Sequence, residues 1–422
     1  MKRLTRIVPL LLLIVLSTAT WLPVTTAANT VNSYAFVDVN LVTMTDDRLL
    51  PHQTVLVIGD QIAAVAPTDG FPLAPDTPRI NGADLYLIPG LTDMHVHVKT
   101  ETDLRWFLRW GVTTVRNMNG EPKHLLWRDQ IASRTLLGPE IVTAGPCIGE
   151  PCCCEADGID EQMATEVVAM QQSQGYDFIK VYDNLTPSVH AAIVRSANAA
   201  GMDVVGHTPD SMTVEQVVQS GQRSIEHLDG YCVVENQELE HIIELTVAND
   251  VWNCPTLTIW QHLEACNGAP TTDQRVTKAY AAESLHTRLC LPPDVDANSY
   301  KMLLPSQQRL DIVRQLHEAG APLLLGTDSP LLCTIPGYSV HQELQNFVAA
   351  GLTSYDALRT TTVNPAIFLD RTDTHGTIAP GKAANLVLLH SDPLEDITAT
   401  LQIIGVMVNG QWFTAEELQK MH

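Results

Sequence analysis

The sequence predicts an α/β chain: a (β/α)8 barrel of the TIM type, with a small β-sheet domain built from both chain ends. Three observations predict it. Between about residues 90 and 370, short apolar segments alternate with helical stretches, giving eight strand–helix units. Strand patterns rich in valine and isoleucine precede this region and return after it. Histidines, an acid and a lysine fall at the ends of the apolar segments, where barrel enzymes build their sites. A chain of 422 residues is long enough for one large barrel plus a smaller unit.

Residues 1–28 read as an export signal. Lys2, Arg3 and Arg6 make a basic start, Ile7 to Leu16 is an uncharged apolar run, and Thr26-Ala27-Ala28 offers small residues for cleavage. The run is well short of the roughly 20 residues that a membrane-spanning helix needs. The expectation is an exported protein, periplasmic or secreted, with no membrane attachment once the signal is removed.

Residues 29–89 form the N-terminal part of the small β domain. Ala35 to Val42 and Thr54 to Val65 read as strands, with Gly59-Asp60 as a hairpin turn. The barrel spans 90–375. Its strands are expected at 91–97, 112–117, 140–145, 177–182, 203–207, 224–228, 252–257 and 322–327. Helices are expected at 100–110, 161–174, 187–200, 213–220, 236–248, 306–319 and 338–350. The stretch 258–305 is too long for an ordinary connection and reads as an insertion with short helices of its own. The segment 146–160 is a shorter irregular loop. Residues 376–422 return to β structure at Asn385 to Leu389 and Ile403 to Val408, with Asn409-Gly410 as a turn.

Composition narrows the function. Hydrophobic residues make up 45%, ample for a core, and the formal charge of −23 argues against a nucleic-acid partner. A small-molecule substrate is expected, and a homo-oligomer is left open. All nine cysteines lie beyond the signal; in an oxidising compartment some should pair, and an odd count leaves at least one over. Cys152-Cys153-Cys154 lacks the two-residue gap of a zinc knuckle, so disulfides in a loop are the favoured reading.

His95 and His97 are one residue apart, so on a strand both imidazoles project from the same face. Two imidazoles side by side on a rigid element make half of a metal site. At or near the other strand ends stand Lys180, His207, His227 and Asp328. His190, His262 and His317 fall elsewhere and read as packed or surface residues.

These residues sit in the segments Pro89 to His97, Ile179-Lys180-Val181-Tyr182, Gly206-His207-Thr208, Glu226-His227-Leu228-Asp229 and Gly326-Thr327-Asp328-Ser329. Together with Thr362-Val363-Asn364-Pro365-Ala366 and Gly376 to Leu386, they make the chain resemble the amidohydrolase superfamily of metal-dependent hydrolases. The resemblance covers nearly all of the chain beyond the signal. It implies that His95, His97 and Asp328 hold one divalent ion, zinc by expectation, and His207 and His227 a second. It also implies that Lys180 is carboxylated on its amine to a carbamate bridging both ions. An ammonium repels cations, whereas a carbamate is an anionic oxygen ligand. A hydroxide shared by the two ions would attack a carbonyl carbon. Asp328 would take its proton and pass it to the leaving amine. Tyr231, four residues past His227, is a candidate hydrogen-bond donor to the oxyanion, with a packed loop aromatic as its alternative. Tyr182 reads as structural, and Asn117 as a weaker pocket candidate.

Within the superfamily the chain looks most similar to exported and microbial enzymes that cleave dipeptides or N-acyl amino acids, including prolidase-like members. Residues 146–160 contain no histidine, although several such relatives carry a substrate-contacting one after the third strand. Lactone, carbamate or organophosphate ester hydrolysis is the alternative on the same metals. A mononuclear deaminase or imidazolone-type hydrolase is another, and an exported binding protein without turnover is the non-enzymatic one.

Overall fold

A computed structural model describes residues 32–149, 159–265, 273–284 and 305–421. The export segment and the Cys152-Cys153-Cys154 run lie outside the described residues. The first described strands are β1 (Ser33–Val42), β2 (Leu49–Ile58), β3 (Gln61–Pro67), β4 (Arg79–Asn81) and β5 (Tyr86–Pro89). Between β2 and β3, Ile58 pairs with Gln61 across the two-residue turn Gly59-Asp60. Gly59 takes φ 67°, a left-handed conformation that costs a glycine nothing.

Strands and helices then alternate. In order they are β6 (Leu91–Val96), α1 (Glu101–Arg109), β7 (Val112–Asn117), α2 (Pro122–Ala132), β8 (Glu140–Thr143) and α3 (Glu161–Gln174). Next come β9 (Phe178–Val181), α4 (Pro187–Ala200), β10 (Asp203–Gly206), α5 (Val214–Val218), β11 (Ser224–Glu226), α6 (Asn236–Ala248) and β12 (Trp252–Cys254). A helical stretch follows: α7 (Leu257–Ala265), α8 (Gln274–Glu283), α9 (Ser306–Glu318), α10 (Tyr338–Ala349), α11 (Ser354–Thr361) and α12 (Val363–Phe368). The last elements are β13 (Leu386–Leu389), β14 (Ile403–Val408), β15 (Gln411–Thr414) and α13 (Ala415–Lys420).

The helix limits follow from their end chemistry. Thr186 caps α4 by accepting from the Val189 amide, Pro187 supplies the preset φ of a first helical residue, and Gly201 ends the helix in the left-handed region. Asp160 and Gly175 do the same for α3.

One eight-stranded sheet runs in the order β15-β14-β13-β5-β1-β2-β3, with β4 on β1. It therefore joins strands from before and after the alternating region. β6, β7 and β8 form a separate parallel sheet, and β9 to β12 another. Every residue of β6 and β7 is buried, as expected of parallel strands covered on both faces. Isolated parallel bridges extend the order: Ala144 to Phe178 between β8 and β9, Asn253 to Leu323, and Val96 to Ser329. The last bridge leads back to β6.

The strand expected at 322–327 makes a single bridge, Leu323 to Asn253, with the Ser329 bridge just beyond it. Gly326 packs against His95 there, and Asp328 turns left-handed at φ 61°, so no regular ladder forms. Four helices were not anticipated: α2, α11, α12 and α13. Among the described residues no helix is long and apolar enough to cross a membrane.

Candidate metal centre

The site is assembled where β6, β9, β10 and β11 end. His95 is the fifth residue of β6, and His97 lies one residue past it. The segment 325–329 is tied alongside: Asp328 donates its amide to the His95 carbonyl at 2.7 Å, and His97 donates to the Ser329 carbonyl at 2.7 Å. This brings Asp328 Oδ1 to 3.0 Å from His97 Nε2 and 3.3 Å from His95 Nε2. His227 joins them, so that ligand atoms of His95, His227 and Asp328 all lie within 4.8 Å of one another. The His207 and His227 rings are 4.8 Å apart between centroids. Lys180, in β9, pairs in register with Val205 of β10, just before His207.

Three of the four imidazoles have one nitrogen committed, which leaves the other to point inward. His95 Nδ1 is 2.8 Å from Glu226 Oε2, His207 Nδ1 is 2.7 Å from Asp183 Oδ1, and His227 Nδ1 is 2.7 Å from Thr256 Oγ1. Arg116 in turn donates to both Glu226 oxygens at 2.9 and 3.1 Å, and Ser224 donates to Glu226 at 2.6 Å. Burial alone would raise the Glu226 pKa, but Arg116 and His95 hold it well below the usual carboxylate range. Burial, and for His207 the Lys180 charge beside it, pushes His207 and His227 well below the ordinary histidine value, favouring neutral imidazoles.

Four buried atoms at this place lack a well-aligned hydrogen bond: Lys180 Nζ and His207 Nε2, and His95 Nε2 and Asp328 Oδ1, which meet only each other and His97 Nε2 at 3.0–3.3 Å. Buried polar atoms without partners are costly, on the order of 1–3 kcal/mol each. Neutral imidazole nitrogens and a carboxylate oxygen are the donor set that divalent zinc takes. The residues therefore fit a cation centre. Lys180 is 1% exposed and fits it only with its charge changed, because a buried ammonium without an acceptor is among the least tolerable groups in a protein.

The backbone is strained at the same place. His227, Leu228 and Asp328 have φ of 63°, 60° and 61°. For non-glycine residues this costs on the order of 1 kcal/mol or more each and persists only where the surroundings dictate it. Gly326 is required by close approach, since a Cβ there would meet Cys254 Sγ at 2.5 Å and His95 Cβ at 2.6 Å.

Tyr231 corrects an expectation. Its hydroxyl lies 2.7 Å from Thr246 Oγ1 of α6, and the side chain packs in the main hydrophobic core. Burial pushes its pKa up to about 12. The phenol is thus committed to the core rather than aimed at the cage, and the oxyanion-donor role falls away. Asn117 binds the Val98 amide at 2.9 Å and Thr143 Oγ1 at 3.0 Å, so it knits strand ends together. Tyr182 stacks on His207 with centroids 3.9 Å apart. Sequence reasoning missed Glu226, Arg116, Asp183 and Thr256. The signal for Arg116 was available: the one charged residue in the strand Val112–Asn117, otherwise valine, threonine and asparagine.

Comparison with known proteins agrees with this geometry. The profile of the amidohydrolase family matches residues 86–413. A Xaa-Pro dipeptidase structure with bound methionine is similar at 21% identity and TM-score 0.73, covering 90% of this chain and 100% of that one. A candidate prolidase from Bifidobacterium longum is similar at 24% identity and TM-score 0.73, covering 91% and 95%. A bottromycin amidohydrolase is 26% identical with TM-score 0.70, covering 92% and 88%. A curated adenine deaminase from Rubrobacter xylanophilus is 38% identical over 63 residues, which is 15% of this chain and 10% of that protein's length.

Proposed function

This chain belongs to the amidohydrolase family, a family of metal-dependent hydrolases, and we propose that it is an exported enzyme cleaving amide C–N bonds of dipeptides or N-acyl amino acids with two divalent ions. The observation that carries the reading is the convergence of buried His95 Nε2, Lys180 Nζ, His207 Nε2 and Asp328 Oδ1, none of which makes a well-aligned hydrogen bond. His95, His97 and Asp328 would hold one ion, His207 and His227 the other, and Lys180 as a carbamate would serve both. Bound divalent cations supply Lewis acidity toward a carbonyl oxygen and make hydroxide available near neutral pH.

The chain's own groups do the rest. Asp328, held by the His95 carbonyl on its amide and flanked by His95 and His97, would accept a proton from the attacking water. The same carboxyl then returns that proton to the leaving amine. Glu226 and Arg116 fix the ring orientation of His95, and Asp183 that of His207. The parallel sheets and their bridges support a (β/α)8 barrel over 90–375, preceded by a signal at 1–28 and flanked by the two parts of a small β domain, 29–89 and 376–422.

The similarity to dipeptidase and prolidase structures supports amide substrates. A screen of the mature protein against dipeptides and N-acyl amino acids tests this; turnover confined to lactones or esters would reject it. The local likeness to an adenine deaminase favours a second reading, a mononuclear deaminase. One ion per chain with an unmodified Lys180 would select that reading, and two ions the first.

A further inference from the structure

His227 is held from two sides, by Thr256 just before the first helix of the insertion and by Arg309 of α9, which stacks on that helix. Thr256, which fixes His227 Nδ1, immediately precedes α7. The first two amides of α7, those of Leu257 and Thr258, each donate to the buried Glu343 carboxylate of α10 at 2.7 Å, which pins the start of the helix. One turn on, the Trp260 ring lies 3.9 Å below the guanidinium carbon of Arg309. Arg309, on α9, is 1% exposed and donates Nη1 to the His227 carbonyl at 3.0 Å, with Cys232 Sγ 3.4 Å from the same nitrogen. The Trp260 ring itself stands edge-on to the His227 ring, with centroids 6.2 Å apart.

A buried guanidinium is costly to desolvate, so it needs directed partners. Here it stacks on an aromatic face and grips one carbonyl, which a planar fork does better than an ammonium. That carbonyl belongs to a left-handed residue, beyond the regular ladder of β11, which ends at Glu226. The turn is closed by the Asp229 amide on the Glu226 carbonyl at 3.0 Å and anchored by the His227 amide on the Cys254 carbonyl at 2.9 Å, and the Arg309 bond fixes the one carbonyl between them.

Resting on the metal reading above, we propose that Arg309 and Trp260 act as a clamp that positions His227, so that the first helix of the insertion governs occupancy of the second cation position. Neither residue touches the reacting atoms; both are positioning residues. The clamp should act more on the ion of His207 and His227 than on the other, because His227 lies beside His95 and Asp328 but these and His97 are fixed by β6 and the 325–329 segment.

The test uses the mature enzyme and its Arg309→Lys, Trp260→Leu and Trp260→Phe variants, equilibrated against buffered zinc. Bound zinc is counted by elemental analysis, and the cobalt-substituted forms are compared by visible absorption. The expected result is wild-type retention of one ion and about 10–100-fold weaker retention of the other in Trp260→Leu. Arg309→Lys should be intermediate, and Trp260→Phe should restore most of the loss. If Arg309→Lys does not fold, the two Trp260 variants decide. Two ions held as in wild type in Trp260→Leu, with only the thermal midpoint lowered, would overturn the clamp. Uptake of fewer than two ions by the wild type itself would instead remove the metal reading, and the clamp with it.

Discussion

Arg116 and Glu226 lie 2.9 Å apart on β7 and β11, which are not neighbours in either parallel sheet, and neither side chain has any exposed surface. Glu226 in turn orients His95. The pair therefore links folding to the centre. Removing one partner strands a buried charge, so Arg116→Met should destabilise the protein by about 3–5 kcal/mol. The double variant Arg116→Met/Glu226→Leu should recover much of that loss while still binding metal poorly. Urea unfolding and metal analysis on the three proteins would check this, and equal stabilities of single and double variants would contradict it.

Asp328→Asn keeps the shape of the side chain and removes its proton-accepting ability. Turnover should fall by about 10²–10⁴-fold with part of the metal retained, as for loss of a general base. Steady-state kinetics on protein of measured metal content gives the answer. Near-wild-type kcat would end the proton-shuttle assignment.

Lys180→Ala should lose metal and activity together, because the proposed carbamate would go with the side chain. Short carboxylic acids should restore part of both by entering the vacated space. Tight retention of two ions in that variant would show that the carbamate bridge is wrong.

Gly326→Ala places a methyl within 2.6 Å of His95 Cβ and 2.5 Å of Cys254 Sγ. Overpacking of this kind costs about 1–3 kcal/mol, and here it must also displace a proposed ligand. Metal affinity should drop more steeply than thermal stability. Adding Cys254→Ala should relieve stability without restoring metal, since the clash with His95 remains.

His341 is buried on α10, with its ring nitrogens near the Thr400 hydroxyl and the Trp110 carbonyl, and burial lowers its pKa to about 4. The folded protein then binds fewer protons than the unfolded chain between pH 4 and 6.5. Stability contributed by the neutral ring is present above 6.5 and is lost as the pH falls below it, by about 2 kcal/mol between pH 7 and pH 5. Urea midpoints at the two pH values should show a smaller acid-induced loss in His341→Gln. An unchanged slope would reject the assignment.

The limits of β7, α3, α4, α6 and β14 agree with expectation to the residue, and α3 and α4 were legible from their capping residues and terminal glycines. The turn at Asn409-Gly410 was legible too, with both residues left-handed and Val408 paired to Gln411. α2 was not legible, because its pattern is inverted: His124 is fully buried while Leu126 is 56% exposed. The segment 322–327 read as a strand from its apolar run Pro322-Leu323-Leu324-Leu325, but tertiary demands at Gly326 and Asp328 override that local preference. At the site, the proposed ligands could be found from strand ends. Of their supports only Arg116 left a local trace, as a charge inside a strand; Glu226 and Thr256 matter through pairings across non-adjacent parts of the chain that no local pattern encodes. Tyr231 misled for the converse reason: proximity in sequence to His227 did not fix the direction of its side chain.

The position of β13 between β5 and β14 has a consequence for biosynthesis. During translation β5 is completed early, yet one of its edges stays open until residues from Leu386 onward have left the ribosome. A nascent chain carrying an unpaired edge is prone to sticking to other chains. A holdase, or passage through a translocon while still unstructured, would be needed to keep that edge covered until the final strands arrive.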